Sequence, residues 1–273
     1  MSHFVVLVAG DVEAQMEPYA EDLEVEPYVS DTHDDVLLQF NSRLVKVKEE
    51  NLVDEFSTLT LNTDPTKLDQ LRIWWKEWCG KELDDDGNSL STYNPDSKWD
   101  FWSVGGRWPG KIRLIPGRGC NKGTPSYAFK HAKEDPYGDD PLNVDSANMC
   151  DIDWKYMDKQ QYDYAIEYWD ELMFSPLEEH QYRTEWVMSE RKRLLDKYKT
   201  KENYAKKVGK FGTYAILTPY HGWVAPGDML MFGMSSETEG ETEKFKSKTY
   251  SKILRELQKK DPDILISIVD CHI

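Results

Sequence analysis

A basic, glycine-containing segment in the middle of the sequence offers the first residues that could bind a ligand. Residues 101–133 contain seven Lys or Arg and no Asp or Glu, although the chain carries a formal net charge of -16. Gly105, Gly106 and Gly110 surround Arg107 within this segment. Glycines leave backbone N–H groups unshielded, and arginine makes forked contacts with phosphates and carboxylates. The segment therefore predicts an anion site that combines N–H groups with a guanidinium.

Residues next to these glycines extend the predicted site. The pattern predicts two strands joined as a hairpin across residues 105–110. Lys111 and Arg113 share one face of the second strand and add two cations. Trp102 and Trp108 offer aromatic faces on which a base can stack. These residue types favour a phosphorylated ligand such as a nucleotide. The alternatives are a structural hairpin whose arginine pairs with a carboxylate, and a contact with another protein.

A second group of chemically active residues lies at the two ends of the sequence. Alternation along the final strand places Asp270 and His272 on one face. If the first and last strands pair antiparallel, as in a ferredoxin-like sheet, His3 lies beside both. Such a catalytic trio would act as general acid and base or hold a divalent metal, and the alternative is a polar strand end with ordinary hydrogen bonds. His221, in a Tyr-His-Gly-Trp turn, is a further candidate for ligand binding.

Apolar periodicity indicates the elements that must position these residues. The run from His3 to Ala9 and residues 264–272 are typical of buried strands. Helices are predicted at 34–56, 65–79, 158–173, 175–207 and 242–259, and a strand pair at 213–218 and 223–231. This order predicts an α+β fold with a mostly antiparallel, ferredoxin-like sheet. The predicted core is 1–133 plus 210–273, and residues 134–209 form an acidic loop and a helical insertion.

Composition limits the classes of function. With 39% hydrophobic and 12% aromatic residues, the chain has enough apolar surface to fold as a globular protein. Its four cysteines are far apart and no apolar run spans a bilayer, so we expect a soluble, cytoplasmic protein with reduced thiols. The net charge opposes general binding to DNA or to membranes. Residues 1–42 contain ten Asp or Glu and no Lys or Arg, which predicts either a solvated surface or an acidic face that imitates nucleic acid.

Three stretches of the sequence resemble an uncharacterised family of bacteriophage and bacterial proteins. They are SHFVVLV from Ser2, the block that ends WSVGGRW at Trp108, and the terminal VDCHI. The likeness covers the whole length and is most distinctive in the middle block and at the C-terminus. It implies an intracellular, phage-type protein that acts in counter-defence or host takeover, with a host protein as a partner. The resemblance implies no catalytic residues.

Three functional hypotheses follow from these observations. The first is a protein that binds a phosphorylated small molecule, either a nucleotide or a nucleotide signal, at the basic hairpin. The second is a metal-dependent phosphodiesterase or nuclease that uses His3, Asp270 and His272. The third is an inhibitor of a host protein, in which the acidic first 42 residues imitate nucleic acid.

Overall fold

The computed structural model describes residues 2–118, 140, 142–176, 183–229 and 234–273. Three basic residues of the central segment, Lys122, Lys130 and Lys133, lie outside the described residues. The chain divides into two compact units, unit 1 (Met1–Ala20 and Lys98–Ile273) and unit 2 (Glu21–Ser97). The boundaries predicted near residues 134 and 210 both fall within the sequence range of unit 1.

Strands and helices occur in groups along the chain. The described strands are β1 (His3–Ala9), β2 (Tyr28–Asp31), β3 (Ser89–Ser91), β4 (Phe101–Val104), β5 (Ile112–Arg113), β6 (Asn143–Val144), β7 (Ser146–Asn148), β8 (Ala215–Thr218), β9 (Gly222–Val224) and β10 (Leu265–His272). The described α-helices are α1 (Val12–Met16), α2 (His33–Glu50), α3 (Glu55–Asn62), α4 (Leu68–Cys79), α5 (Trp154–Phe174), α6 (Thr184–Tyr198), α7 (Lys201–Val208), α8 (Glu239–Lys244) and α9 (Ser251–Lys260). A π-helical segment, Phe245–Tyr250, joins α8 to α9. No described helix is long and apolar enough to cross a membrane.

Unit 1 is built on a six-stranded sheet. Its strand order is β4-β10-β1-β8-β9, with β7 also paired to β10. β1 pairs antiparallel with β10 and parallel with β8, and the other ladders of this sheet are antiparallel. The predicted α+β class and mostly antiparallel sheet are therefore confirmed, as is the pairing of the first strand with the last. A ferredoxin-like motif has four strands, so this sheet is larger than the expected one.

Both faces of the central strands are covered, which explains the continuous apolar run in β1. On one face Val6 and Val8 pack with Val269 of β10. On the other face Leu7 packs with Ile268, and buried residues of the π-helical segment and α9 cover them: Phe245, Tyr250, Ile253 and Leu257. We call this second face the helix-covered face. His3, Asp270 and His272 continue it toward one end of the sheet, because side chains alternate along a strand.

The hairpin predicted across residues 105–110 is not formed. β4 pairs with β10 at an edge of the sheet, whereas β5 pairs with β6 in a separate two-stranded sheet. Gly105 and Gly106 have φ angles of 75° and 50°. These left-handed conformations turn the chain away from the sheet after Val104, so the next strand cannot return beside β4.

Two of the predicted helices are interrupted. The helix predicted at 34–56 covers α2 and only the first two residues of α3, because Asn51 adopts a left-handed conformation with φ 51° and ends α2. The described part of 175–207 contains α6 and α7, which are separated at Lys199 with φ 70°. The end of α4 at a left-handed Gly80 is as predicted.

Unit 2 contains α2, α3, α4 and the two-stranded sheet of β2 and β3. Its core is formed around Trp74 and Trp75 of α4, which pack with Val36 and Phe40 of α2. Trp74 is fixed further by a hydrogen bond from its indole N–H to the Thr60 hydroxyl at 3.0 Å. None of the candidate site residues lies in this unit, so the site is determined by unit 1.

We expect Ile268→Ala to destabilise unit 1 by about 2–5 kcal/mol, because it leaves a cavity in a fully buried strand. Chemical denaturation followed by circular dichroism measures the change. Leu195→Ala, at a position on α6 that is 47% exposed, is the control and should change stability by less than about 1 kcal/mol. Equal effects of the two substitutions would contradict the central position of β10.

Candidate active site

The register between β1 and β10 brings the two ends of the sequence together. His3 lies opposite His272, and Val5 lies opposite Asp270. His3 is therefore the direct cross-strand neighbour of His272 and the diagonal neighbour of Asp270. The imidazole rings are edge-to-face, with their centroids 4.9 Å apart. The predicted proximity of His3 to Asp270 and His272 is confirmed, and we call His3 and His272 the histidine pair.

Each imidazole hydrogen-bonds to its own carboxylate. Nδ1 of His3 lies 2.8 Å from Oδ1 of Asp270, and Nδ1 of His272 lies 2.6 Å from Oδ1 of Asp100. A carboxylate only accepts hydrogen bonds, so each Nδ1 carries a hydrogen and donates it. In the neutral ring, Nε2 then keeps a lone pair. Nε2 of His272 is buried and has no hydrogen-bond partner among the described residues. The described residues therefore leave this lone pair unsatisfied, and because the atom is buried a ligand reaches it only if neighbouring side chains move.

The carboxylate of Asp270 is buried and needs polar partners. Its side chain is 7% exposed, and Oδ2 accepts a hydrogen bond from the backbone N–H of Arg107 at 3.0 Å. Burial of a charge is costly unless hydrogen bonds compensate it. A Cβ on Gly106 would lie 2.2 Å from Cβ of Asp270. Glycine at this position allows the backbone to approach the acid that orients His3.

A second buried carboxylate, that of Asp145, is held in the same way. Gly110 donates its N–H to Oδ1 of Asp145 at 2.6 Å, and a Cβ on Gly105 would lie 2.6 Å from Oδ2. Gly105 donates its own N–H to the carbonyl of Ile268. These N–H groups were predicted to bind an external anion, and that prediction is wrong. The turn instead surrounds carboxylates of the protein itself.

The basic side chains of the segment have different surroundings. Arg107 is exposed, and no described residue forms an ion pair with it. Arg113 lies 2.5 Å from Asp140, donates to Asn143 and covers the ring of Tyr156. Since its guanidinium is already paired, Arg113 is a poor candidate for the predicted ligand contact. Arg107 remains a cation that a ligand can reach.

The aromatic residues near the histidine pair are not those expected. Trp102 lies opposite Cys271 and packs on the face away from the histidine pair, so it cannot stack a ligand there. Trp108 is half-buried against the core of the helix-covered face. Phe101 lies opposite His272 and is 63% exposed. Directly opposite residues share a face, so Phe101 presents an exposed aromatic ring on the face of the histidine pair.

His221 does not join the histidine pair. β8 runs parallel to β1, so the β8–β9 turn lies at the Ala9 end of the sheet, away from His3. Nε2 of His221 is 3.1 Å from Oε2 of Glu256 in α9. His221, a further candidate for ligand binding, therefore lies apart from the histidine pair.

Cys271 separates Asp270 from His272 in sequence but does not belong to the site. Its side chain is fully buried on the opposite face of the sheet. Burial, and then the charge of Asp270, raise the pKa of the thiol well above its usual value. A protonated, buried thiol is a poor nucleophile and a poor metal ligand.

The predicted metal site lacks a suitable set of ligands. Within the part of the chain that the structure describes, no group of three or more His, Cys, Asp or Glu side chains is arranged to hold a metal ion. In the histidine pair, the carboxylate oxygens and Nδ1 atoms are joined in hydrogen bonds. The arrangement therefore fits proton transfer better than metal binding.

Asp100 and Phe101 were not found by sequence reasoning. Asp100 immediately precedes β4, and its backbone N–H also donates to the carbonyl of His272. Only the pairing of β4 with β10 places these two residues beside His272. The sequence analysis predicted that β4 pairs with the next strand in a local hairpin. No short-range pattern in the sequence indicates that it pairs with β10 instead.

Comparison with known proteins adds no relative. No protein-family model, no curated protein and no solved structure matches the chain.

We expect Gly106→Ala to destabilise unit 1 by about 2–5 kcal/mol, because a left-handed backbone and a clash with Asp270 act together. Gly117→Ala is the matched control. Its φ is 80°, but no atom lies within 4 Å of the added methyl group, so we expect a loss of only about 1 kcal/mol. Thermal and chemical denaturation measure both. Similar losses for the two variants would contradict the close approach of Gly106 to Asp270.

Proposed function

We propose that the protein binds a phosphorylated ligand of the nucleotide class beside the histidine pair, and that His3 and His272 transfer protons during cleavage of a phosphodiester bond. The observation that carries this proposal is the adjacency of two imidazoles, each hydrogen-bonded through Nδ1 to a separate carboxylate. Histidine exchanges protons near neutral pH, and a carboxylate at Nδ1 fixes the tautomer and the ring orientation.

Phosphodiester cleavage needs one group that accepts a proton and one that donates a proton. The base removes the hydrogen of the attacking hydroxyl or water as its oxygen forms a bond to phosphorus. The acid then protonates the oxygen that leaves as the second P–O bond breaks. Two adjacent imidazoles on one face of a sheet can supply both groups. The Nε2 atoms are the reacting atoms, because each Nδ1 is bonded to a carboxylate.

Recognition of the ligand is supported by two exposed side chains near the histidine pair. The backbone of Arg107 contacts Asp270, and its unpaired guanidinium suits an anionic oxygen. Phe101 lies opposite His272 and offers a ring face to a base. This combination favours a nucleotide over a simple carboxylate.

The other hypotheses receive less support. A metal-dependent mechanism would need a set of ligands that the described residues do not provide. No contact in the structure bears on nucleic-acid mimicry by residues 1–42, and the cytoplasmic, phage-type setting and the host partner remain predictions. A nucleotide signal as the ligand would fit such a setting.

We expect His272→Gln and His3→Gln each to lower kcat by about 10²–10⁴, because each removes one proton-transfer group. Hydrolysis of bis(p-nitrophenyl) phosphate and of a panel of single-stranded oligonucleotides and cyclic dinucleotides measures this. His221→Gln is the control and should keep full activity, since His221 lies at the other end of the sheet. Chelation of metals by EDTA should leave the rate unchanged.

A separate titration tests ligand binding. Calorimetry with the same nucleotides should detect binding to the wild type and to His272→Gln, and weaker binding to Arg107→Ala. Binding without hydrolysis would contradict the proposed catalytic roles and leave the first, purely ligand-binding hypothesis. Absence of both binding and hydrolysis with the whole panel would contradict the proposal.

A further inference from the structure

A cleft in unit 1 lies between the start of α5 and the face formed by the π-helical segment and α9. Its volume is about 630 Å³, which is within the range of sites that hold small organic molecules. The turn at residues 210–211 also contributes to its lining. We call it the α5–α9 cleft, and none of the residues discussed at the histidine pair lines it.

The α5–α9 cleft is well separated from the histidine pair. Met149, which lines the cleft, donates its N–H to the carbonyl of Ile264, the residue before β10. His272 lies at the other end of this eight-residue strand. A strand rises about 3.3 Å per residue, so roughly 20 Å separates His272 from the Met149 edge of the cleft. A ligand in the cleft therefore does not touch the histidine pair.

One part of the cleft is apolar and aromatic. The indole of Trp154, the first residue of α5, meets the ring of Phe211 edge to face with 5.9 Å between the centroids. Its N–H donates to the carbonyl of Met149 at 3.4 Å. Leu254 of α9 packs against the same core, and both Leu254 and Trp154 remain partly exposed. An oriented indole beside a leucine offers a surface for a flat apolar group.

The opposite side of the cleft is a single helical face. Side chains at intervals of three or four residues share a face of a helix, and Ser247, Ser251, Leu254 and Gln258 all line the cleft. Ser247 belongs to the π-helical segment, a rare geometry that occurs often at functional sites. The face therefore combines an apolar group with polar ones, as small-molecule sites do.

The charged side chains of the cleft favour an anion. The carboxylates of Asp153 and Asp158 already accept backbone hydrogen bonds at 2.9 and 3.0 Å, and Lys210 lies 3.8 Å from Asp158. By contrast, Lys155 and Arg255 line the cleft and form no ion pair with any described residue. One cation comes from α5 and the other from α9. In a chain with a net charge of -16, two unpaired cations at one cleft complement a negative ligand.

We propose that the α5–α9 cleft is a second binding site, which takes a small organic anion with a flat apolar body, such as an aromatic carboxylate or sulfonate. The body lies against Trp154 and Leu254, and the anionic group contacts Lys155 and Arg255. This inference goes beyond the proposed phosphodiester cleavage and does not depend on it, because the two sites share no residue.

Two fluorescent probes test the charge preference on the full chain. Anilinonaphthalene sulfonate and phenylnaphthylamine have the same aromatic body, and only the first carries a negative charge. Replacing both Lys155→Gln and Arg255→Gln should weaken sulfonate binding by about five- to tenfold, since two charge-assisted contacts are lost. Binding of the neutral amine should stay within about twofold of the wild type. Lys252→Gln is the control, because Lys252 pairs with Glu256 and is outside the lining.

A second variant tests the position of the apolar body. Ser251→Phe places a bulky ring in the middle of the lining, so it should weaken both probes by at least about tenfold. Thr249→Phe is the matched control, since Thr249 is exposed on the π-helical segment and outside the lining. It should bind both probes as the wild type does. Thermal melting followed by circular dichroism checks that each variant is folded.

Three results would overturn the inference. They are no binding of either probe by the wild type, an equal effect of the two Gln substitutions on both probes, and wild-type affinity in folded Ser251→Phe. Hydrolysis that depends on His272 would stand in each case. His272→Gln should in turn leave both probe affinities unchanged, and a loss there would place the probes at the histidine pair instead.

Discussion

Seven residue pairs join β1 to β10, from His3 opposite His272 to Ala9 opposite Ile266. The apolar part of this ladder lies between two cores, and its polar end carries the histidine pair. A slip by one residue would move His3 to the other face of the sheet and exchange the side chains of β1 that fill each core. The burial that stabilises the sheet thus also fixes which two imidazoles meet. Every chemical property proposed for the protein depends on this register.

The glycine turn after β4 has a role different from that of a ligand cradle. Asp270 is buried beneath it, and the Arg107 N–H supplies one of its hydrogen bonds. Hydrogen bonds to a buried carboxylate compensate part of the free-energy cost of burying it. The turn therefore maintains the acid that orients His3. Arg107 contacts Asp270 through its backbone N–H, so its exposed side chain remains available to bind another group. One short segment thus both hydrogen-bonds to the carboxylate that contacts His3 and carries an exposed cation.

Local patterns in the sequence predicted the strands and helices whose apolar side chains repeat within one element. The unbroken run of β1 and the alternation of β10 are of this kind, and so is the end of α4 at Gly80. The proximity of His3 to His272 was predicted because it needs only one assumption, the antiparallel pairing of the two terminal strands. Asn51 and Lys199 were missed as helix ends, since neither is a glycine although both adopt positive φ angles.

The remainder of the site depends on contacts between residues that are remote in sequence. Asp100 lies beside His272 across 172 positions, and no local pattern indicates which strand accompanies β10. The glycines indicated a turn with an unusual backbone conformation. Glycines at these positions allow either an external anion or a buried carboxylate of the protein to approach the backbone, and the sequence does not distinguish the two.

Nitrogen-15 NMR of the imidazoles tests the central claim, that each histidine of the pair donates Nδ1–H to a carboxylate and keeps Nε2 for the ligand. At about pH 8.5, where imidazoles are ordinarily neutral, the account predicts the Nδ1–H tautomer for both His3 and His272. Added nucleotide should then shift the Nε2 signals of this pair before those of His221. An Nε2–H tautomer at either position would contradict the account. So would nitrogen-15 shifts of His3 and His272 that do not change when nucleotides are added.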